Sequence, residues 1–162
     1  MFGRRKKVPV ASGAKAPTFR LASLHGGTRS LEDILAAGPA LLAFYKISCP
    51  VCQLTAPYIQ RLAAGRGLQV VGISQDDESA TQGFNQRFGV TFPTLLDQSK
   101  EGYPASNSFG ISSVPSLFLV EQDGKIAKAF QGFSKRDIEA LGDRAGSPIF
   151  RPEDNVPEWK AG

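Results

Sequence analysis

A chain of 162 residues, of which 41% are hydrophobic and 21% charged, has the composition of one globular domain that can bury its own core. No apolar run approaches the roughly 18 residues needed to cross a bilayer, so we expect a soluble protein. The net charge of +4 does not indicate binding to nucleic acid, because six of the 19 basic residues lie among the first 20 residues, where there is no acidic residue. The rest of the chain has 13 basic and 15 acidic residues.

The N-terminal residues 1–16 are predicted to form a basic, flexible tail, since blocks of like charge are usually solvated. A secretory signal would continue after the basic residues 4–7 with roughly 7–15 apolar residues. The sequence here is polar and is interrupted by Pro9. We therefore expect a cytoplasmic protein.

Residues 17–146 are predicted to form the folded domain, beginning with a strand over 19–23 and a turn at 26–27. Ser30 and Asp33 have the spacing of a capping box, which predicts a short helix ending near residue 37. The continuous apolar run over 40–45 is typical of a strand buried on both faces.

The apolar residues then recur at helical spacing up to Gly65, and a second buried strand follows over 68–74. A strand, a helix and a strand in this order predict a parallel pair with a right-handed crossover, and so an α/β domain. The remaining predicted elements are a helix over 78–88, a strand over 94–96, a helix over 103–109, a strand over 116–120, a hairpin turn over 122–124, a strand over 126–130 and a helix over 134–145. Residues 147–162 are predicted to form a proline-containing tail packed on the domain, which Trp159 holds in place.

The sequence contains only two cysteines, in the segment Cys49-Pro50-Val51-Cys52. A disulfide-stabilised scaffold would use more cysteines, spread along the chain. Structural zinc normally takes four Cys or His ligands, and His25 is the only histidine. We therefore expect neither a metal nor a cofactor, and a redox-active dithiol is the remaining interpretation.

The position of this pair, between a buried strand and a helix, favours a reactive thiolate at Cys49. The first turn of a helix has unpaired N–H groups and partial positive charge, which stabilise an anion there. Lys46 is expected to add to this effect, and Pro50 suits the first helical turn because its missing N–H is not needed there. Cys49 is predicted to attack and Cys52, one turn further on, to resolve the mixed disulfide.

Several segments together resemble the thioredoxin superfamily, and specifically the redoxin branch that contains the TlpA/ResA-type thiol-disulfide reductases and the AhpC/TSA peroxiredoxins. They lie at residues 16–19, 49–52, 57, 70–74, 92–97, 109–111, 114–120 and 122–126. The resemblance implies a thioredoxin fold, with a central mixed sheet flanked by helices and a βα insertion over about 76–97. It also implies a cis peptide bond at Val114-Pro115, facing the cysteine pair, where backbone groups bind an extended substrate. Pro50, Val51, Val114 and Pro115 are the expected substrate-binding residues.

Three positions depart from patterns common in these relatives, and each removes a group that assists the cysteine pair. Ser48 replaces a tryptophan, Ala43 replaces a buried aspartate, and Thr55 replaces a glutamate. The proton of Cys52 then has no obvious acceptor. The candidates are water, Lys46, Asp76 and Asp77.

Thiol–disulfide exchange with protein or small-molecule disulfides and thiols is the predicted activity, with an unknown electron donor and a monomeric protein. A thiol peroxidase with antioxidant activity is one alternative. Its motif P-x-x-x-T/S-x-x-C would need other residues at Leu42 and Lys46 before Cys49, or at Tyr45 and Cys49 before Cys52. A copper carrier is the other alternative. Such carriers on this fold add a histidine after the cysteines, whereas His25 precedes them.

Overall fold

The computed structural model describes residues 8–65 and 67–162. Its central element is a seven-stranded β-sheet. Its strands are β1 Arg20–Ser23, β2 Thr28–Ser30, β3 Ala40–Tyr45, β4 Gln69–Ser74, β5 Thr94–Leu96, β6 Ser116–Val120 and β7 Ile126–Gln131. Their order across the sheet is β2-β1-β5-β4-β3-β6-β7. The pairs β3–β4 and β4–β5 are parallel and the others are antiparallel, which confirms the predicted mixed sheet.

Helices flank this sheet and begin and end largely where the sequence predicts. They are α1 Leu31–Ala36, α2 Pro50–Ala64, α3 Glu78–Phe88, α4 Pro104–Ser108 and α5 Lys135–Ala145. The capping box of α1 is present, since Asp33 N–H donates to Ser30 Oγ at 3.0 Å and Ser30 N–H donates to Asp33 Oδ2 at 2.9 Å. Within the described residues, none of the helices has both the length and the apolar character needed to span a membrane.

Strand β3 lies in the middle of the core, and every one of its side chains is buried. Because side chains alternate along a strand, Leu42 and Phe44 point to one face of the sheet and Leu41 and Ala43 to the other. The second face packs against α2 and α5. Each fully buried large side chain stabilises the fold by about 1.5–3 kcal/mol. This packing fixes the end of β3, and with it the start of α2.

The N-terminal segment differs from the predicted tail. Residues 1–7 lie outside the described residues, but the segment after them is bound to the domain. Val10 N–H donates to Phe109 O at 3.1 Å, and Ala16 N–H donates to Gly124 O at 2.8 Å. The predicted boundary at residue 16 is therefore too late, because these hydrogen bonds are made by backbone atoms and leave no apolar pattern in the sequence.

The C-terminal segment lies along the domain, but Trp159 does not hold it there. Two short strands, β8 Phe133–Ser134 and β9 Trp159–Lys160, pair antiparallel. Trp159 itself is 61% exposed, whereas Ile149 is 4% exposed. Backbone pairing and the burial of Ile149 attach the segment, so the predicted role of the tryptophan is wrong.

Candidate active site

Cys49 occupies the last position before α2 and faces outward from the end of the sheet. Its Sγ accepts a hydrogen bond from Cys52 N–H at 3.1 Å, so the sulfur caps the helix in the way an oxygen of serine or aspartate would. The thiol also donates to Val114 O at 3.4 Å. Cys49 is half-buried. Its sulfur therefore lies where the free N–H groups of α2 favour negative charge.

Cys52, one turn into α2, has a very different environment, since it is only 2% exposed and packs in the core. Burial raises the pKa of the Cys52 thiol well above its usual range, and the hydrogen bond with Cys49 raises it further. The negative charge of Asp76 acts in the same direction, while the backbone N–H of Lys46 opposes it. Cys52 is therefore a protonated thiol at neutral pH.

A small cavity of about 20 Å³, lined mostly by buried residues, adjoins Cys52. Ala43 from β3 and Thr55 from α2 both line it, so the two positions that lack a carboxylate meet at this cavity. The Thr55 hydroxyl donates to Val51 O at 2.6 Å. Among the described residues that line the cavity there is no acidic side chain.

The Val114-Pro115 peptide bond is cis, which confirms the expectation from the resemblance. The two residues contact different parts of the site. Val114 lines the space outside Cys49, while Pro115 lines the cavity beside Cys52. Pro115 O accepts a hydrogen bond from Gly132 N–H at 2.9 Å, which ties this turn to the segment leading into β8.

A groove of about 830 Å³ opens in front of Cys49. Of the predicted substrate-binding residues, Pro50 and Val114 line it. Val51 does not present its side chain there, because it is 5% exposed and packs in the core. The second position of the helix turns toward the sheet, so a substrate-binding role for Val51 stays a prediction.

The groove is lined mainly by polar side chains, and apart from Ser48 none of them was predicted as part of the site. They are contributed by Ser48, Gln75, Tyr103, Ser106, Asn107, Ser112 and Ser113. Gln75 Nε2 donates to Ser106 Oγ at 2.9 Å, which joins the end of β4 to α4. One signal was available for Gln75. It directly follows a strand parallel to β3, so it lies at the same edge of the sheet as the cysteine pair.

The three charged side chains that were predicted to act near the cysteine pair occupy different positions. Lys46 is exposed and lines the groove, and its backbone O accepts from Cys49 N–H at 3.2 Å. Asp76 Oδ2 accepts from Ile47 N–H at 2.8 Å, close to the site. Asp77 instead caps α3 by accepting from Ala80 N–H at 2.8 Å. Asp76 is thus the better placed of the two carboxylates.

His25 lies in the turn between β1 and β2 and does not line the groove. In the part of the chain that the structure describes, no three His, Cys, Asp or Glu side chains come together as a metal site would require.

Comparisons with known proteins show the family of this chain. The model of the AhpC/TSA family matches residues 12–129. The thiol-disulfide oxidoreductase ResA of Geobacillus thermodenitrificans is 30% identical over 139 residues, which cover 83% of this chain and 78% of that protein.

Two solved structures are also similar. The thioredoxin domain of a thiol-disulfide oxidoreductase from Bacteroides vulgatus superposes with a TM-score of 0.73 at 22% identity, covering 83% of this chain and 97% of that one. Peroxidoxin BcpB of Mycobacterium tuberculosis gives a TM-score of 0.66 at 25% identity, with coverage of 83% and 93%. Because the first structure is only 22% identical to this chain, the similarity to it shows a shared fold and nothing more.

Proposed function

Because this chain belongs to the AhpC/TSA family and is a thiol–disulfide oxidoreductase of thioredoxin fold, we propose that Cys49 is its nucleophile and Cys52 its resolving thiol. The observation that carries this assignment is the contrast between the two sulfurs. Cys49 is half-buried at the helix start beside a groove, whereas Cys52 is buried and has a raised pKa. Only the first can meet a substrate disulfide.

In the first step, the Cys49 thiolate attacks one sulfur of a substrate disulfide. The substrate S–S bond breaks, a bond from Cys49 Sγ to that sulfur forms, and the other sulfur leaves as a thiolate that takes a proton from solvent. The N–H groups at the start of α2 stabilise the attacking thiolate.

In the second step, Cys52 loses its proton and attacks Cys49 Sγ. The mixed disulfide breaks, the second substrate thiol leaves, and a Cys49–Cys52 disulfide remains. The substrate has gained two electrons and the protein has lost two, so a dithiol donor must reduce the protein before the next cycle. The same steps run in reverse when the protein starts oxidised, and the reduction potential decides the direction.

Reduction of insulin disulfides tests this function, with the Cys49→Ser and Cys52→Ser variants as the matched pair. We expect Cys49→Ser to be inactive and Cys52→Ser to accumulate a mixed disulfide on Cys49, which mass spectrometry identifies. Wild-type protein that reduces neither insulin nor a small disulfide would contradict the proposal. A measured reduction potential of about −270 mV would indicate a reductase, and one of about −120 mV would indicate an oxidant.

A thiol peroxidase is the second candidate, favoured by the family model and by the likeness to peroxidoxin BcpB. Leu42 and Lys46 stand where a peroxidase motif before Cys49 needs proline and a hydroxyl residue. The peroxidases that this chain resembles also use an arginine from elsewhere in the chain, and among the described residues that line the groove there is no arginine. Hydrogen peroxide consumption with a dithiol donor, measured beside insulin reduction, separates the two activities.

The partners proposed from the sequence are protein or small-molecule disulfides and a thiol donor. The cytoplasmic location and the monomeric state stay predictions, to be measured by cell fractionation and by sedimentation.

A further inference from the structure

The last residues of the described chain reach the substrate groove. Lys135 N–H donates to Glu158 O at 3.0 Å, Ser134 pairs with Trp159, and Phe133 pairs with Lys160. Residues 158–162 are hereafter called the strap. Its first three residues run antiparallel to β8, and its last residue, Gly162, lines the groove.

Two glycines allow the strap to approach the neighbouring backbone closely, because neither has a side chain that would collide with it. Gly132 has φ +74°, and a Cβ there would overlap Lys160 O. At Gly162, a Cβ would overlap Val114 O, and it would lie 3.2 Å from Pro115 Cδ. The strap thus ends against the carbonyl group to which the Cys49 thiol donates. Gly162 lines the groove together with Cys49.

The segment before the strap is firmly attached to the helix that carries both cysteines. Arg61 of α2 forms two hydrogen bonds with the Asp154 carboxylate, at 2.7 and 3.0 Å, and a third with Ile149 O at 2.9 Å. The Phe150 ring lies 4.9 Å from that of Tyr58. These contacts hold residues 149–154 in place whether or not the strap is bound.

The strap itself is held much more weakly. All five of its residues are exposed, and its paired strand is two residues long. Among the residues that the structure describes, the strap forms one side-chain ion pair. It joins Lys135 and Glu158 over 3.7 Å and is partly exposed. Segments with few buried contacts and exposed hydrogen bonds open at low free-energy cost. Asn155, with φ +50°, and Pro157 separate the strap from its anchor.

We propose that the strap covers the edge of the groove at Val114 and must be displaced by a polypeptide substrate, but not by a small disulfide. This inference rests on the proposed function and on the expectation from the family resemblance that the backbone at Val114 binds an extended substrate. A polypeptide needs the backbone position that Gly162 now fills. A small disulfide needs only the sulfur of Cys49 and the groove in front of it. The strap therefore determines which size of substrate the site accepts.

The Lys160→Pro variant tests the strap without shortening the chain, because proline lacks the N–H that a paired strand residue donates. Lys160→Ala is the matched control, since it removes the same exposed side chain and keeps the N–H. A chain ending at Pro157 removes the strap entirely. All three variants retain the anchor at Arg61 and Asp154. The measured quantity is kcat/KM for insulin and for cystamine.

If the strap covers the edge for roughly 70–90% of the time, its release raises kcat/KM for insulin about 3- to 10-fold, since apparent affinity scales with the open fraction. We expect that increase in Lys160→Pro and in the truncated chain, with cystamine reduction unchanged and Lys160→Ala equal to wild type. An equal change with both substrates, or no change with either, would overturn the inference. Wild-type protein inactive on both substrates would overturn the proposed function, and the inference with it.

A second measurement keeps the strap intact and so does not depend on how the strap variants fold. Trp159 is the only tryptophan of the chain, and it lies on the strap. In the Cys52→Ser protein, a mixed disulfide of Cys49 with an extended peptide should lower the fluorescence anisotropy of Trp159, because the strap is released. The mixed disulfide with cysteamine should leave the anisotropy unchanged. Equal anisotropy in the two adducts would contradict displacement of the strap.

Discussion

Placing a carboxylate at position 43 tests whether the cavity beside Cys52 is the place from which its proton can be removed. Ala43 is 6% exposed, and the cavity that it lines has a volume of about 20 Å³ and is almost entirely apolar. In Ala43→Asp, the new carboxyl group would share this cavity with the thiol of Cys52 and the hydroxyl of Thr55. Burial disfavours the charged form of such a group.

The magnitude follows from the expected titration of the new carboxyl. If burial raises its pKa from about 3.9 to about 6–7, the change is worth roughly 3–4 kcal/mol at 1.36 kcal/mol per unit. Because the pKa of the folded protein is the higher one, full stability is present below about pH 4. Stability falls as the pH rises to about 7 and is constant above that. Ala43→Asn is the matched control, since its amide has nearly the same volume and does not titrate.

Urea unfolding of both variants between pH 4 and 8 measures this difference. We expect the free energy of unfolding of Ala43→Asp, relative to Ala43→Asn, to fall by about 3–4 kcal/mol across that range. At pH 7 we also expect faster resolution of the mixed disulfide, by at least about tenfold, since a positioned base contributes about 10²–10⁴-fold. A difference that does not vary with pH would show that the new carboxylate is hydrated, and would refute the expectation that burial in this cavity raises its pKa.

Three other predictions concern groups around the pair and the anchor of the C-terminal segment. Brief alkylation of the reduced protein should label Cys49 before Cys52, because burial shields Cys52 and raises the pKa of its thiol. If peptide mapping finds mainly Cys52 labelled, the roles of nucleophile and resolving thiol are reversed. Lys46→Met should slow alkylation of Cys49 about twofold at low ionic strength and less at 1 M salt, since exposed charges are screened, and equal slowing at both salts would argue against an electrostatic role. The hydrogen bonds from Arg61 and the Arg151 backbone hold the pKa of Asp154 at about 2, below its ordinary 3.8, so its contribution to stability is present above about pH 4 and is lost as the pH falls to 2. Acid unfolding of Asp154→Asn should therefore differ from wild type near neutral pH and converge with it near pH 2, and parallel curves would contradict this.

The elements that the sequence predicted well are those in which the pattern of apolar residues reflects which faces are buried. Strand β3 is a continuous apolar run because both of its faces are covered, and α2 shows helical spacing because only one of its faces is. The cis bond at Pro115 has no local signal, and only the family resemblance supported it. The backbone hydrogen bonds of residues 10–16 and the pairing of β8 with β9 were missed, because backbone pairing over two residues imposes no pattern on the side chains.

The surroundings of Cys52 show how residues far apart in the sequence can form one feature of the site. Ala43 and Thr55 are twelve positions apart, and in the sequence they read as two separate losses of a carboxylate. The packing of α2 on β3 brings both to one cavity, so they amount to a single change, namely the absence of an acceptor in the cavity beside Cys52. Of the two candidate carboxylates, Asp76 is the better placed to take this proton, because it accepts from Ile47 N–H and its charge acts on Cys52, where it raises the pKa of the thiol. Replacing Asp76 therefore removes an acceptor and at the same time makes the thiolate easier to form, and these two effects on the second step oppose each other.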